Sequence, residues 1–86
     1  MPAPAIGAAA VKARLRELLS EALDEDVAPL QDDTTAGDVE GWDSLAHLKL
    51  VVAIEEEWRI RFDIAELDAP RNVGELVDMI VRKAGG

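Results

Sequence analysis

Between Ser44 and Trp58 the chain sets Leu45, Leu48, Leu50, Val51, Val52, Ile54 and Trp58 at helical spacings that spread apolar side chains around much of the circumference. A helix so widely apolar is stable only among other helices, so this segment predicts the centre of a helical bundle. The stretch is entered through Gly41-Trp42-Asp43. Asp43 can cap the helix by accepting from its free N–H groups, and Gly41 lets the incoming loop approach closely. Ser44 is then expected to present its hydroxyl to solvent at the first turn.

The rest of the chain supplies helices to surround this one. From about Ile6 to Leu23, the residues Val11, Leu15, Leu18, Leu19, Ala22 and Leu23 recur at helical intervals against polar Lys12, Arg14, Arg16, Glu17 and Glu21. This predicts an amphipathic first helix. Asp24-Glu25-Asp26 opposes the negative end of its dipole and Pro29 restricts continuation, so it should stop near Leu23. A long loop runs from about Asp24 to Trp42, rich in turn and cap formers, with Leu30 and Val39 expected to pin it to the core. Connections longer than about 12 to 15 residues are uncommon in small domains and often functional. Asp63-Ile64-Ala65-Glu66 has the form of a capping box opening a short third helix that Pro70 limits. Asn72-Val73-Gly74-Glu75 repeats the arrangement and opens a fourth helix. Its Val73, Leu76, Val77, Met79 and Ile80 should face inward, with Arg82 and Lys83 at the negative end and Gly85 as the stop.

At 86 residues and 49% hydrophobic content, the chain suits one domain spanning 1–86, with 1–5 and 84–86 expected as flexible tails. The formal charge of −9 repels phosphate backbones and anionic lipid headgroups, so neither nucleic acid nor a membrane is an expected partner. Basic protein surfaces are. There is no cysteine, so thiolate metal sites and disulfides are excluded and a cytoplasmic location is expected. The single histidine, His47, cannot build a histidine metal site. Apolar runs such as Ala8-Ala9-Ala10-Val11 fall far short of the roughly 20 residues needed to span a bilayer. The first cation is Lys12, so the start lacks the basic region of a secretory signal.

Several residues invite functional readings. A phosphodiester on Ser44 would lie at the positive end of a helix dipole, a favourable place for an anion. A hydrolytic reading pairs Ser44 with His47 as base, three residues apart on one face, but the Gly-x-Ser-x-Gly elbow is absent. His47 reads instead as an exposed surface residue or partner contact. Glu55-Glu56-Glu57 opposes the dipole at the helix C-terminus, a cost that hints at use. With Asp38, Glu40 and Asp43 it forms an acidic strip for docking a basic enzyme surface. Trp42 is expected to be partly buried, and Trp58, Phe62 and Ile54 to be core.

Taken together, these residues resemble the phosphopantetheine-dependent acyl carrier proteins over roughly Val11 to Arg82. The resemblance rests on the first helix, the long loop, Asp43-Ser44-Leu45, the apolar helix ending Ile54-Glu55-Glu56-Glu57-Trp58, Phe62-Asp63, and Val73, Leu76 and Ile80. It implies an all-α, acyl-carrier-like four-helix bundle with three principal helices, a short third and a long loop between the first two. It further implies that a phosphopantetheinyl transferase, using magnesium, moves 4′-phosphopantetheine from coenzyme A to Ser44, with Asp43 and Leu45 meeting that enzyme. Acyl groups would ride as thioesters on the arm of a monomeric carrier that catalyses nothing. Loading, condensing and acyl-transferring enzymes would be the partners, meeting Asp38, Glu40, Trp42, His47, Lys49, Glu55, Glu56 and Glu57. Leu48, Val52, Ile54, Phe62 and Ile80 match positions lining the interior near the arm, where an acyl chain could shelter.

The chain departs from fatty-acid-synthesis carriers just after the serine. Acidic residues are usual there, and this chain has Ala46, His47 and Lys49. Arg71-Asn72 also replaces the threonine-rich stretch common before the last helix. The departure favours a stand-alone carrier of a specialised pathway, polyketide-type or devoted to a tailored acyl unit. The alternatives are a peptidyl carrier holding aminoacyl groups, a housekeeping fatty-acid carrier, and a helical adaptor in which Ser44 is only a first-turn residue. Gly41-Trp42-Asp43 suits acyl carriers better than the Gly-Gly of many peptidyl carriers.

Overall fold

The structure is a computed structural model that describes residues 7–85. Its helices are α1 (Ala8–Leu23), α2 (Ser44–Trp58), α3 (Ile64–Leu67) and α4 (Val73–Gly85), with a single 3-10 turn at Ala36–Asp38 in the long loop. The expected all-α bundle with a short third helix is therefore observed. Ile6 and the predicted N-terminal tail lie outside the described residues. At the other end α4 runs through Ala84 and Gly85, which corrects the expectation of a tail from residue 84 and a stop at Gly85. Ala84 packs on the core and holds the last turn in place.

α1 packs against both α2 and α4, and the core fills the space between them. Val11, Leu15 and Leu19 of α1 meet Leu50 and Ile54 of α2 and Val73, Val77 and Ile80 of α4, all essentially inaccessible to water. Both α1 and α2 stop at residues in the left-handed conformation, Asp24 (φ 55°) and Arg59 (φ 54°), which turn the chain out of the helix. Ion pairs join the elements at the periphery. Arg14 bonds Glu57 at 3.0 Å between α1 and α2, and Lys83 bonds Glu66 at 2.8 Å between α4 and α3.

The roll of α2 about its axis differs from the sequence reading. Ala46, Leu50, Val51 and Ile54 form the buried side, whereas Leu45, Leu48 and Val52 are 62%, 55% and 54% exposed. Leu48 and Val52 are thus outside the bundle, a correction to their placement in its interior. The reason is coverage: α3 has only four residues and cannot roof the outer side of a fifteen-residue helix. Ile54 and Ile80 are core as expected, and Phe62 is half-buried against it.

The long loop is stitched to the helices rather than loose. Lys12 of α1 pairs with Asp32 at 2.7 Å, and the Val73 and Gly74 amides donate to the carbonyls of Thr34 and Asp32, each at 2.8 Å. Val27, Leu30 and Trp42 are buried and Val39 packs partly on the core. Gly74 is where loop and α4 come closest. A Cβ there would sit 3.0 Å from the Asp32 carbonyl oxygen and 3.1 Å from its Cβ. Alanine is worth about 1 kcal/mol over glycine within a helix. The Asp32 carbonyl cannot retreat without losing its bond from Gly74, and crowding of this kind costs about 1 to 3 kcal/mol. Gly74→Ala is therefore expected to lower the urea midpoint with an unchanged slope; a higher midpoint would show that the loop yields.

Candidate functional site

Ser44 is the first residue of α2 and is exposed. Its position is set by its neighbours. Gly41 has φ 89°, a conformation that favours glycine, and a Cβ there would stand 3.6 Å from the Leu23 side chain of α1. The loop thus turns sharply against the end of α1 before α2 begins. Trp42 follows, buried at 9% exposure, and anchors the turn in the core. Asp43 then caps α2: its Oδ1 accepts from the Ala46 amide at 2.9 Å and its carbonyl from the His47 amide at 2.8 Å. Because the aspartate does the capping, the serine hydroxyl is not consumed by it.

The electrostatics suit an anion on that hydroxyl. The first turn of α2 carries no acidic residue, and the positive end of the helix dipole faces outward at Ser44. Beside it the outward side of α2 presents Leu45, Leu48 and Val52, with Lys49 and Glu56 also exposed.

The structure redistributes the residues expected to meet partners. Asp43, Glu40, Lys49 and Glu56 are exposed. Trp42 is buried, so it is a loop anchor and not a docking residue. His47 is not the free surface residue expected: it is half-buried, with Nδ1 3.2 Å from the Trp42 indole nitrogen and Nε2 3.1 Å from the Leu67 carbonyl. With both ring nitrogens engaged, it is not placed to serve Ser44 as a base. Glu55 is half-buried and its Oε2 accepts from the Phe62 amide at 2.9 Å, which makes it structural. Asp38 and Glu57 stay at the surface, but each has an internal partner. Asp38 closes a capping box with Thr35, and Glu57 bonds Arg14. The acidic strip is therefore shorter than the sequence suggests.

Lys83 stands 2.8 Å from Glu66 and 5.8 Å from the centre of the Phe62 ring, pinning α3 to α4. The Asp63 amide, and then Lys83, hold the Glu66 carboxyl below the usual carboxylate range. Its share of α3 stability is present above its unfolded pKa and lost as pH falls through the lower folded value. One contributor near the site escaped the sequence reading: the Leu67 carbonyl is a backbone group that no side-chain pattern marks.

Residues 13–80 match the family described as the phosphopantetheine attachment site, and Ser44 lies inside that span. The chain belongs to the acyl carrier protein family. A polyketide-8 synthase acyl carrier protein 2 of Streptomyces avermitilis is 34% identical over 74 residues, covering 86% of this chain and 85% of that one. An acyl carrier protein of Thermotoga maritima is 31% identical over 72 residues, covering 84% of this chain and 89% of the other. The solution structure of a holo acyl carrier protein from Geobacter metallireducens superposes with a TM-score of 0.77 at 34% identity, covering 85% of this chain and 84% of that one. This acyl carrier protein is thus a carrier of 4′-phosphopantetheine, in a family that works with biosynthetic enzymes. The group supplies, when bound, a terminal thiol that holds acyl chains as thioesters. No helix among the described residues is long and apolar enough to cross a membrane.

Proposed function

We propose that Ser44 is the attachment residue and that a phosphopantetheinyl transferase modifies it at the expense of coenzyme A. The new phosphorus–oxygen bond forms at Ser44 Oγ, the pyrophosphate bond of coenzyme A breaks, and 3′,5′-ADP leaves with the enzyme taking the serine proton. The observation that carries this reading is the exposed serine at the start of α2, its cap supplied by Asp43. Asp43 and Leu45 flank the reacting oxygen and belong to the surface the transferase meets.

The carrier is a monomeric, non-catalytic cytoplasmic protein of a specialised pathway, polyketide-type or devoted to a tailored acyl unit. The polyketide-synthase relative supports this, as does a turn after the serine that holds Ala46, His47 and Lys49 in place of acidic residues. Acyl-loading, condensing and transferring enzymes dock on Leu45, Leu48, Lys49, Val52 and Glu56, with Glu40 on the approach. Ile54, Phe62 and Ile80 lie on the inner side, where an acyl chain would enter if the bundle opened.

The test is the intact mass of the purified chain after incubation with coenzyme A, magnesium and a broad-specificity transferase. A single phosphopantetheine increment is expected, followed by loading from an acyl donor and not from amino acids activated by adenylating enzymes. An unchanged mass with several transferases would count against the attachment, and aminoacyl loading would make the protein a peptidyl carrier.

A further inference from the structure

Around Ser44 runs a chain of hydrogen bonds that the capping of α2 does not require. Trp42, two residues before the serine, is 9% exposed, and its indole nitrogen lies 3.2 Å from His47 Nδ1. The two rings are stacked, with centroids 6.1 Å apart and planes inclined by 27°. An indole nitrogen can only donate, so Nδ1 accepts and the ring proton resides on Nε2, which donates to the Leu67 carbonyl at 3.1 Å. One side chain of α2 thereby joins the loop that enters α2 to the last residue of α3.

α3 has few other holds. At four residues it is far too short to be stable by itself, and Ile64 at its start is 88% exposed. Among the described residues its other polar ties are the Glu66–Lys83 ion pair and, just ahead of it, the Glu55 bond to the Phe62 amide, with Phe62 itself half-buried against the core. His47 is the tie nearest the serine, because positions three apart on a helix share a flank.

We propose that His47 is a positioning residue that locks the end of α3 and the Trp42 turn into one fixed rim beside Ser44, and that the transferase recognises this rim. The inference rests on the reading of Ser44 as the attachment residue. Without the lock, the rim adopts its productive arrangement for only a fraction of the time, and the apparent affinity of the enzyme falls by that fraction. The rate of transfer after docking is unchanged, since His47 has both ring nitrogens committed away from the reacting oxygen.

The experiment measures phosphopantetheine transfer from coenzyme A to the full chain over a range of carrier concentrations, far below the unfolding midpoint so that every variant is folded. His47→Leu removes both bonds. His47→Asn sets a carboxamide oxygen where Nδ1 stands and keeps the Trp42 half; His47→Gln sets an amide nitrogen where Nε2 stands and keeps the Leu67 half. His47→Leu is expected to raise KM about three- to tenfold at constant kcat, as for a productive rim populated about a tenth to a third of the time. The Asn and Gln variants should fall between it and the wild type. In amide-proton NMR spectra the Trp42 indole proton should stay protected from solvent exchange in His47→Asn and exchange faster in the other two, with Trp58 as internal reference. A wild-type chain that accepts no group would sink the Ser44 reading itself. A wild-type chain that accepts it while His47→Leu keeps an unchanged KM overturns the positioning role alone, and so does a loss confined to kcat. If His47→Leu does not fold, the Asn and Gln variants decide by the same comparison.

Discussion

Ser44→Ala is expected to fold as the wild type does and to gain no mass from coenzyme A and transferase under conditions that convert the wild type completely. The effect is all-or-none because attachment needs an oxygen at that position and no neighbouring side chain can lend one. Asp43 and Leu45 flank it, a carboxylate already accepting from the Ala46 amide and a hydrocarbon. The fold should be indifferent for the same structural reason: Ser44 is exposed and the helix cap belongs to Asp43. Circular dichroism and denaturant melts on the same samples separate the two parts of the expectation. An alanine variant that still gains the increment would move the attachment to another hydroxyl, with Ser20, Thr34 and Thr35 as the other candidates in the described chain.

The second large effect is a contrast within α2. Leu50→Ala should cost about 2 to 5 kcal/mol, because the side chain is completely buried between α1 and α4 and its removal leaves a cavity. Leu48→Ala should change stability by no more than about 0.5 kcal/mol, since the leucine is 55% exposed. Paired urea melts read the difference directly. Equal losses at both positions would mean that α2 is rolled towards the face that hydropathy alone suggests. The Leu48 variant should nevertheless weaken docking of partner enzymes, because its side chain belongs to the outward apolar stripe.

That contrast marks where the sequence was readable and where it was not. α1 and α4 each carry one apolar side and one polar side, so their inward residues, from Val11 to Leu19 and from Val73 to Ile80, followed from spacing. Caps were equally readable, since Asp43, Asp63 and Asn72 announce helix starts through side chains that have few other uses. α2 was different. With leucine, valine or isoleucine on both sides, periodicity cannot select between Leu45-Leu48-Val52 and Ala46-Leu50-Ile54, and the small Ala46 gives little signal. What settles the choice is which side of α2 the short α3 leaves uncovered, a tertiary fact. The same holds around the candidate site. Ser44 could be read from its local sequence, whereas the partners of Trp42, His47 and Glu55 lie in the Leu67 carbonyl, the Phe62 amide and other groups that only folding brings near.

The uncovered side of α2 has a colloidal consequence. Hydrocarbon left in water beside Ser44 would ordinarily favour pairing of two such faces, since each offers the other a dry surface. A molecule with a formal charge of −9 resists that encounter, because like charges drive identical copies apart before the stripes can touch. The acidity of the chain thus works as a filter, reserving a sticky surface for proteins of the opposite sign.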